Sequence, residues 1–165
     1  MSMTHETQTK RLAPELLFAA VEEQLALGRK ASFTVTGISM WPFIASRRDQ
    51  VVVAACNPEK LHVGDIILFQ TPLGNYMLHR ITALKSGSFE TTGDGNCFRD
   101  GWFPRSCVRA KVETITRNGR TIDCSRFGWR HIFTVWRILF PLRKPLLRLM
   151  KRLGAIKARL RKWIH

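Results

Sequence analysis

The spacing of apolar residues changes period twice along the chain. Between Leu16 and Leu27 it is helical, with Leu16, Leu17, Ala20, Val21, Leu25 and Leu27 falling on successive turns. This predicts a helix of about four turns, opened by Pro14 and Glu15 and stopped by Gly28. From Ala31 the period drops toward two. Ser32 to Thr36 alternates, Gln50 to Ala55 and Ile66 to Phe69 are continuous apolar runs, and Tyr76 to Leu84, Phe89 to Thr92, Val108 to Thr116 and Thr121 to Asp123 follow. Turn residues separate them: Asn57-Pro58, Pro72 to Asn75, Ser86 to Ser88, and Asn118-Gly119, the strongest short hairpin signal in the chain. Past Arg126 the helical period returns, with Pro141 and Pro145 expected to break it. The expected fold is mainly β. Residues 1–30 form a disordered lead (1–12) and one helix, 31–125 a compact coiled β-domain, and 126–165 a basic amphipathic helical tail.

Charge sharpens the last boundary. The chain has 27 Lys and Arg against 12 Asp and Glu, and residues 126–165 hold 12 of those cations and no acid. In that tail, large apolar residues alternate with cations and tryptophans sit at the boundary, the composition of helices lying in a membrane interface. Trp129, Phe133, Trp136, Arg137, Arg148, Lys151, Arg152 and Trp163 are the expected contacts. A cationic tail favours an anionic, cytoplasmic leaflet, and no secretory signal or spanning run is read in the sequence. Peripheral membrane association is therefore expected. Nucleic acid is not expected as a partner, because phosphate contacts would explain the cations and leave the apolar half unexplained. Cys56, Cys97, Cys107 and Cys124 have no zinc spacing and read as reduced, mostly buried thiols. No metal or cofactor is implied.

Three stretches carry candidate chemistry. Gly37-Ile38-Ser39-Met40-Trp41-Pro42 holds a serine in a short turn. Gly37 permits unusual backbone angles, so the amides of Ser39 and Met40 are candidates to hold a developing oxyanion. A serine hydroxyl is a weak nucleophile and needs a base, which itself needs an orienting group. His79 lies in a β-type run, where period two places it with Met77 on one face and Leu78 with Arg80 on the other. Imidazole titrates in the range a general base needs. Asp94 and Asp100, in and after Thr92-Gly93-Asp94-Gly95-Asn96, are the candidate orienters.

These stretches together resemble the type I signal peptidases. Gly37 to Pro42 looks like their serine box, and Val63-Gly64-Asp65-Ile66-Ile67-Leu68-Phe69 like their Gly-Asp strand. Leu78-His79-Arg80-Ile81 is similar to their base-bearing strand, and Thr92 to Asp100 to their acidic box. The likeness covers roughly residues 31–115, and four boxes in order are more specific than any one. It implies a coiled β-domain shared with LexA-type repressors and a peptide or precursor-protein substrate. Histidine where one branch has lysine matches the endoplasmic-reticulum and archaeal branch. By position that branch implies Ser39 as nucleophile, His79 as base and Asp100 as catalytic aspartate, with Asp94 shaping the site and the fallback orienter. The chain departs from the family in having a helix before the serine where a membrane anchor is usual, a basic tail, and Cys97-Phe98-Arg99 within the acidic box.

The rival readings are a LexA-like self-cleaving regulator and a non-catalytic peptide- or nucleic-acid-binding protein. The first needs a lysine base, a DNA-binding domain before the first strand and usually an Ala-Gly scissile bond; the chain has His79 and no Ala-Gly pair. The second leaves the combination of Ser39, His79 and the aspartates without a role.

Overall fold

A single antiparallel sheet carries the chain from Ala31 to Asp123 in the computed structural model, which describes residues 14–163, with side chains from 16 to 156. The lead expected over 1–12 lies outside the described residues. Helix α1 (Pro14–Ala26) is followed by β1 (Ala31–Thr34), β2 (Asp49–Ala54), β3 (Ile66–Gln70), β4 (Tyr76–Lys85), β5 (Ser88–Thr92), β6 (Gly101–Pro104), β7 (Val108–Arg117) and β8 (Arg120–Asp123). The strands run in the order β1-β2-β7-β3-β4-β5-β6, with β8 paired to the end of β7. Helices α2 (Phe127–Ile138) and α3 (Arg143–Trp163) complete the chain.

Both faces of the sheet are buried, which is why Ile66 to Phe69 is uninterrupted apolar sequence. Ile66 and Leu68 join Val51, Val53 and Val112 in one core, and Ile67 and Phe69 join Ile81 and Phe89 in the other. Helix α1 closes the first core through Val21, and Phe18 stacks on Tyr76 at 4.3 Å between the ring centroids. Leu16 and Leu27, which the helical spacing grouped with the packing face, are exposed. The β7–β8 hairpin turns on Asn118 (φ 48°) and Gly119 (φ 75°), left-handed at both positions as its tight turn requires.

Four expectations need correction. Strand β6 went unread, because a four-residue stretch containing Gly101 and Pro104 has no β signature of its own. Pairing with β5 creates it, and Pro104 is tolerated at its end. Pro145 breaks nothing, since it falls in the first turn of α3, where no intrahelical amide bond is lost. The cysteines are free but not buried: Cys56, Cys107 and Cys124 are half-buried and Cys97 is exposed. Finally, Phe133 and Trp136, expected at a membrane, are buried at 3% and 8% exposure. They face inward because both rings pack on Phe43, at 5.3 and 5.5 Å. Trp129 is half-buried, Arg137, Arg148, Lys151 and Arg152 are exposed, and the side chain of Trp163 lies outside the described residues. Among the described residues no helix is long and apolar enough to cross a membrane.

Asp49 anchors the long connection from β1 to β2. Its fully buried carboxylate accepts from the Ala45 amide (2.8 Å), Arg48 Nε (2.7 Å) and Arg117 Nη2 (2.9 Å). Burial alone would push this carboxyl up. The bonds from Arg48, then Arg117 and the Ala45 amide, outweigh it and hold the group well below the usual carboxylate range. A depressed folded-state value contributes stability above the unfolded carboxylate range, and that contribution is lost as pH falls toward the folded value. Asp49→Asn should therefore cost about 2–3 kcal/mol at neutral pH in urea unfolding. The deficit should shrink below roughly pH 4; one that stays constant into acid would contradict the assignment.

Candidate active site

Ser39 sits where the chain passes from solvent into the first core. Ile38 before it is 77% exposed, Met40 after it is 1% exposed, and Ile44 is fully buried. Trp41 N–H donates to the Ile38 carbonyl (3.1 Å) and Ile44 N–H to that of Met40 (2.9 Å), so the serine turn is closed on itself. The peptide bond between Trp41 and Pro42 is cis. Gly37 is not left-handed, contrary to the expectation placed on it. A Cβ there would stand 4.0 Å from Ser39 Oγ, so its smallness leaves open space beside the hydroxyl. The amides of Ser39 and Met40 have no acceptor among the described residues.

Strand β4 delivers the imidazole. His79 pairs with Ile67 of β3, which fixes its height along the sheet, and its side chain is 6% exposed. Ser39 Oγ is 3.0 Å from His79 Nε2, and His79 Nδ1 is 2.6 Å from Asp100 Oδ2. An ionised carboxylate only accepts, so the shorter contact assigns the proton to Nδ1. Nε2 is then the acceptor for the serine hydroxyl. Thr91 Oγ1 donates to the same Asp100 oxygen (2.8 Å), and the Asp100 amide donates to the Thr91 carbonyl (3.0 Å). Two bonds between the end of β5 and this aspartate thus fix its direction.

Asp94, the fallback orienter, has a different partner. Arg80 follows His79 and points to the opposite face of β4. Its Nε and Nη2 donate to the two Asp94 oxygens at 2.9 and 2.7 Å, and its Nη1 to the Gly64 carbonyl at 2.8 Å. Both side chains are almost wholly buried, and the Phe133 ring lies 3.7 Å from the guanidinium carbon. Paired bidentate charges tolerate such burial, whereas single ones do not.

Two loop glycines explain how the acidic loop reaches the serine. A Cβ on Gly93 would stand 2.6 Å from the Ser39 carbonyl oxygen, and one on Gly95 2.8 Å from that of Trp41. Only bare backbone fits. The Gly95 amide donates to the Ser39 carbonyl (2.6 Å), which fixes the plane of the Ser39–Met40 peptide and aims the Met40 N–H the opposite way.

The tail closes the loop from outside. Trp136 Nε1 donates to the Asp94 carbonyl (3.1 Å), and Arg143 Nη1 to those of Gly93 (3.2 Å) and Asn96 (3.1 Å). Arg143 is 2% exposed, and burial lowers its pKa against the opposing pull of Asp94. Sequence reading missed Arg80, Thr91 and Arg143 as parts of the site and gave Trp136 to the membrane. Arg80 left a trace, since a permanent cation on a strand flanked by Leu78 and Ile81 calls for an acid partner of its own. Arg143 left none among so many tail cations.

A cavity of about 540 Å³ lies elsewhere, lined by Cys56, Asp65, Lys111, Cys124, Arg130 and Phe133 among others, and none of Ser39, His79 and Asp100 borders it. Its two thiols are poor nucleophiles: burial raises both, Cys124 to about 11. Among the described residues no cluster of His, Cys, Asp and Glu is arranged to hold a metal ion.

The two aspartates should separate in stability. Asp94→Asn strips the buried Arg80 of its counter-charge and should cost about 3 kcal/mol in denaturant unfolding. Asp100→Asn keeps an acceptor for His79 and should cost about 1 kcal/mol or less; equal losses would contradict this division of roles. No family model matches the chain, and no match is found among curated proteins, so the site is read from its geometry.

Proposed function

We propose that the chain is a serine endopeptidase of the signal-peptidase type, on a coiled β-domain of the kind shared by signal peptidases and LexA-type repressors. The observation that carries this reading is the continuous hydrogen-bonded chain from Ser39 Oγ through His79 to Asp100 Oδ2. A nucleophile, a base oriented by a buried carboxylate and hydrogen bonds linking all three are the arrangement that acyl transfer by serine uses, which supports the reading. The ordered sequence boxes that resemble those of signal peptidases support the same reading.

In the proposed mechanism Ser39 Oγ attacks the scissile carbonyl carbon while its proton passes to His79 Nε2. The imidazolium is stabilised by Asp100, and the free amides of Ser39 and Met40 are the proposed donors to the oxyanion. As the C–N bond breaks, His79 returns the proton to the leaving amine. Water, deprotonated by His79, then attacks the acyl-enzyme and releases the acid, restoring the Ser39 hydroxyl.

Substrate has a place to lie. Strand β4 pairs with β3 from Tyr76 to Arg80 but with β5 only from Arg80 onward, so the edge leading to His79 is unpaired among the described residues. The outer edge of β1, leading to the serine loop, is likewise unpaired among the described residues. An extended peptide adding to these edges would run toward the serine and need no enclosed cavity.

The test is cleavage of an extended-peptide library by the full chain, read by mass spectrometry. Ser39→Ala and His79→Ala should each lower turnover by roughly 10³-fold or more, and Asp100→Asn by a comparable factor, with folding retained. Unchanged turnover in the serine or histidine variant would end the peptidase reading.

A further inference from the structure

With Phe133 and Trp136 turned inward, the outward faces of the two tail helices are left to account for. On α2 the exposed apolar residues are Ile132 (46%), Val135 (51%) and Ile138 (68%), one turn apart, with Phe127 (80%) at the helix start. Leu142, in the turn before α3, is 56% exposed. On α3, Leu149, Leu153 and Ile156 are each more than half exposed and again fall on one stripe. The buried side of α3 is instead occupied by Arg143 and Leu147. Isolated exposed aliphatics need no explanation, but two helices that each carry an apolar stripe on the outward side do.

The cations follow a matching arrangement. Arg137 flanks the α2 stripe, and Lys144, Arg148, Lys151 and Arg152 run along one edge of that on α3, all exposed, whereas Arg130 turns toward Asp65 of the β-domain (3.8 Å). Residues 126–165 contain no acid to neutralise them. A second copy of the same face would bring like charges together, so self-association is disfavoured. A polyanion such as nucleic acid would satisfy the cations and leave the aliphatic stripes in water. One environment takes both together: apolar acyl chains beneath a layer of negative headgroups.

We propose that the outward faces of α2, the Leu142 turn and α3 form a docking surface for an anionic lipid bilayer, with the aliphatic stripes entering the headgroup–acyl boundary and the flanking arginines and lysines meeting lipid phosphates. The contact residues differ from those the sequence pattern favours. Phe133 and Trp136 serve the acidic loop, and Ile132, Val135, Ile138, Leu149, Leu153 and Ile156 meet lipid. Docking of this kind is peripheral and independent of catalysis by Ser39.

The test is co-sedimentation of the full chain with vesicles of pure phosphatidylcholine or of phosphatidylcholine containing phosphatidylglycerol, at low and high salt. The wild type should partition onto the anionic vesicles and keep part of that binding in high salt, because the apolar component is not screened. Ile132→Ser/Val135→Ser/Ile138→Ser should lower partitioning roughly tenfold or more and abolish the salt-resistant part. Leu149→Ser/Leu153→Ser should do the same on the second helix, guarding against a misfolding artefact in the first variant. Arg148→Glu/Lys151→Glu/Arg152→Glu should remove the preference for anionic lipid, and Ser39→Ala should bind as wild type whatever becomes of the peptidase reading. The proposal falls if the wild type stays in the supernatant, if both serine variants bind as wild type, or if binding is lost wholly at high salt. It also falls if the stripe variants convert a lipid-free dimer to monomer.

Discussion

A buried arginine–aspartate pair fixes where every other part of the site can be. Arg80 and Asp94 meet through two short bonds in a region with almost no solvent. Neither charge can be buried alone, so β4 and the acidic loop are tied at one distance and one angle. Phe133 covers the guanidinium and Gly64 takes its remaining bond, which draws α2 and the β3 entry to the same point. Because His79 precedes Arg80 on the strand, locking the arginine on one face sets the imidazole on the other.

From that fixed point two short tethers define the reactive geometry. Gly93 and Gly95 let the loop backbone lie against the Ser39 turn at distances no side chain would allow. Thr91 and the returning chain then hold Asp100 against the imidazole. The division between the aspartates follows from their surroundings. Asp94 neutralises a permanent charge, and Asp100 accepts from a histidine ring. The C-terminal helices enter the same construction, since Trp136 and Arg143 occupy three carbonyls of the loop that Ser39 leans on. A tail that reads as an appendage in the sequence thus shares the bonding of the candidate site.

Much of this was legible from residue order. The runs from Gln50, Ile66, Tyr76 and Val108 became β2, β3, β4 and β7 because each is long enough to be buried on at least one face. Ser39 and His79 were recognisable from the demands of the chemistry, which left Asp94 and Asp100 both open as orienter; the resemblance to signal peptidases favoured Asp100, and Ser39, His79 and Asp100 come into contact. What was hidden depends on tertiary structure. Strand β6 exists through pairing with β5. The inward turn of Phe133 and Trp136 depends on a partner, Phe43, far away in sequence. Gly37 was read as a conformational device and proves to be a steric one, while the close approach that demands glycine occurs at Gly93 and Gly95, which read as an ordinary turn.

The account stands most directly on the protonation and partners of one imidazole, which nitrogen-15 NMR of labelled histidine observes without any substrate. It predicts that His79 carries its proton on Nδ1 in a strong, far-downfield hydrogen bond, with Nε2 bare and accepting from Ser39. That signal should be lost or shifted in Asp100→Asn and retained in Asp94→Asn. A proton resting on Nε2, or an Nδ1 signal indifferent to Asp100, would contradict it.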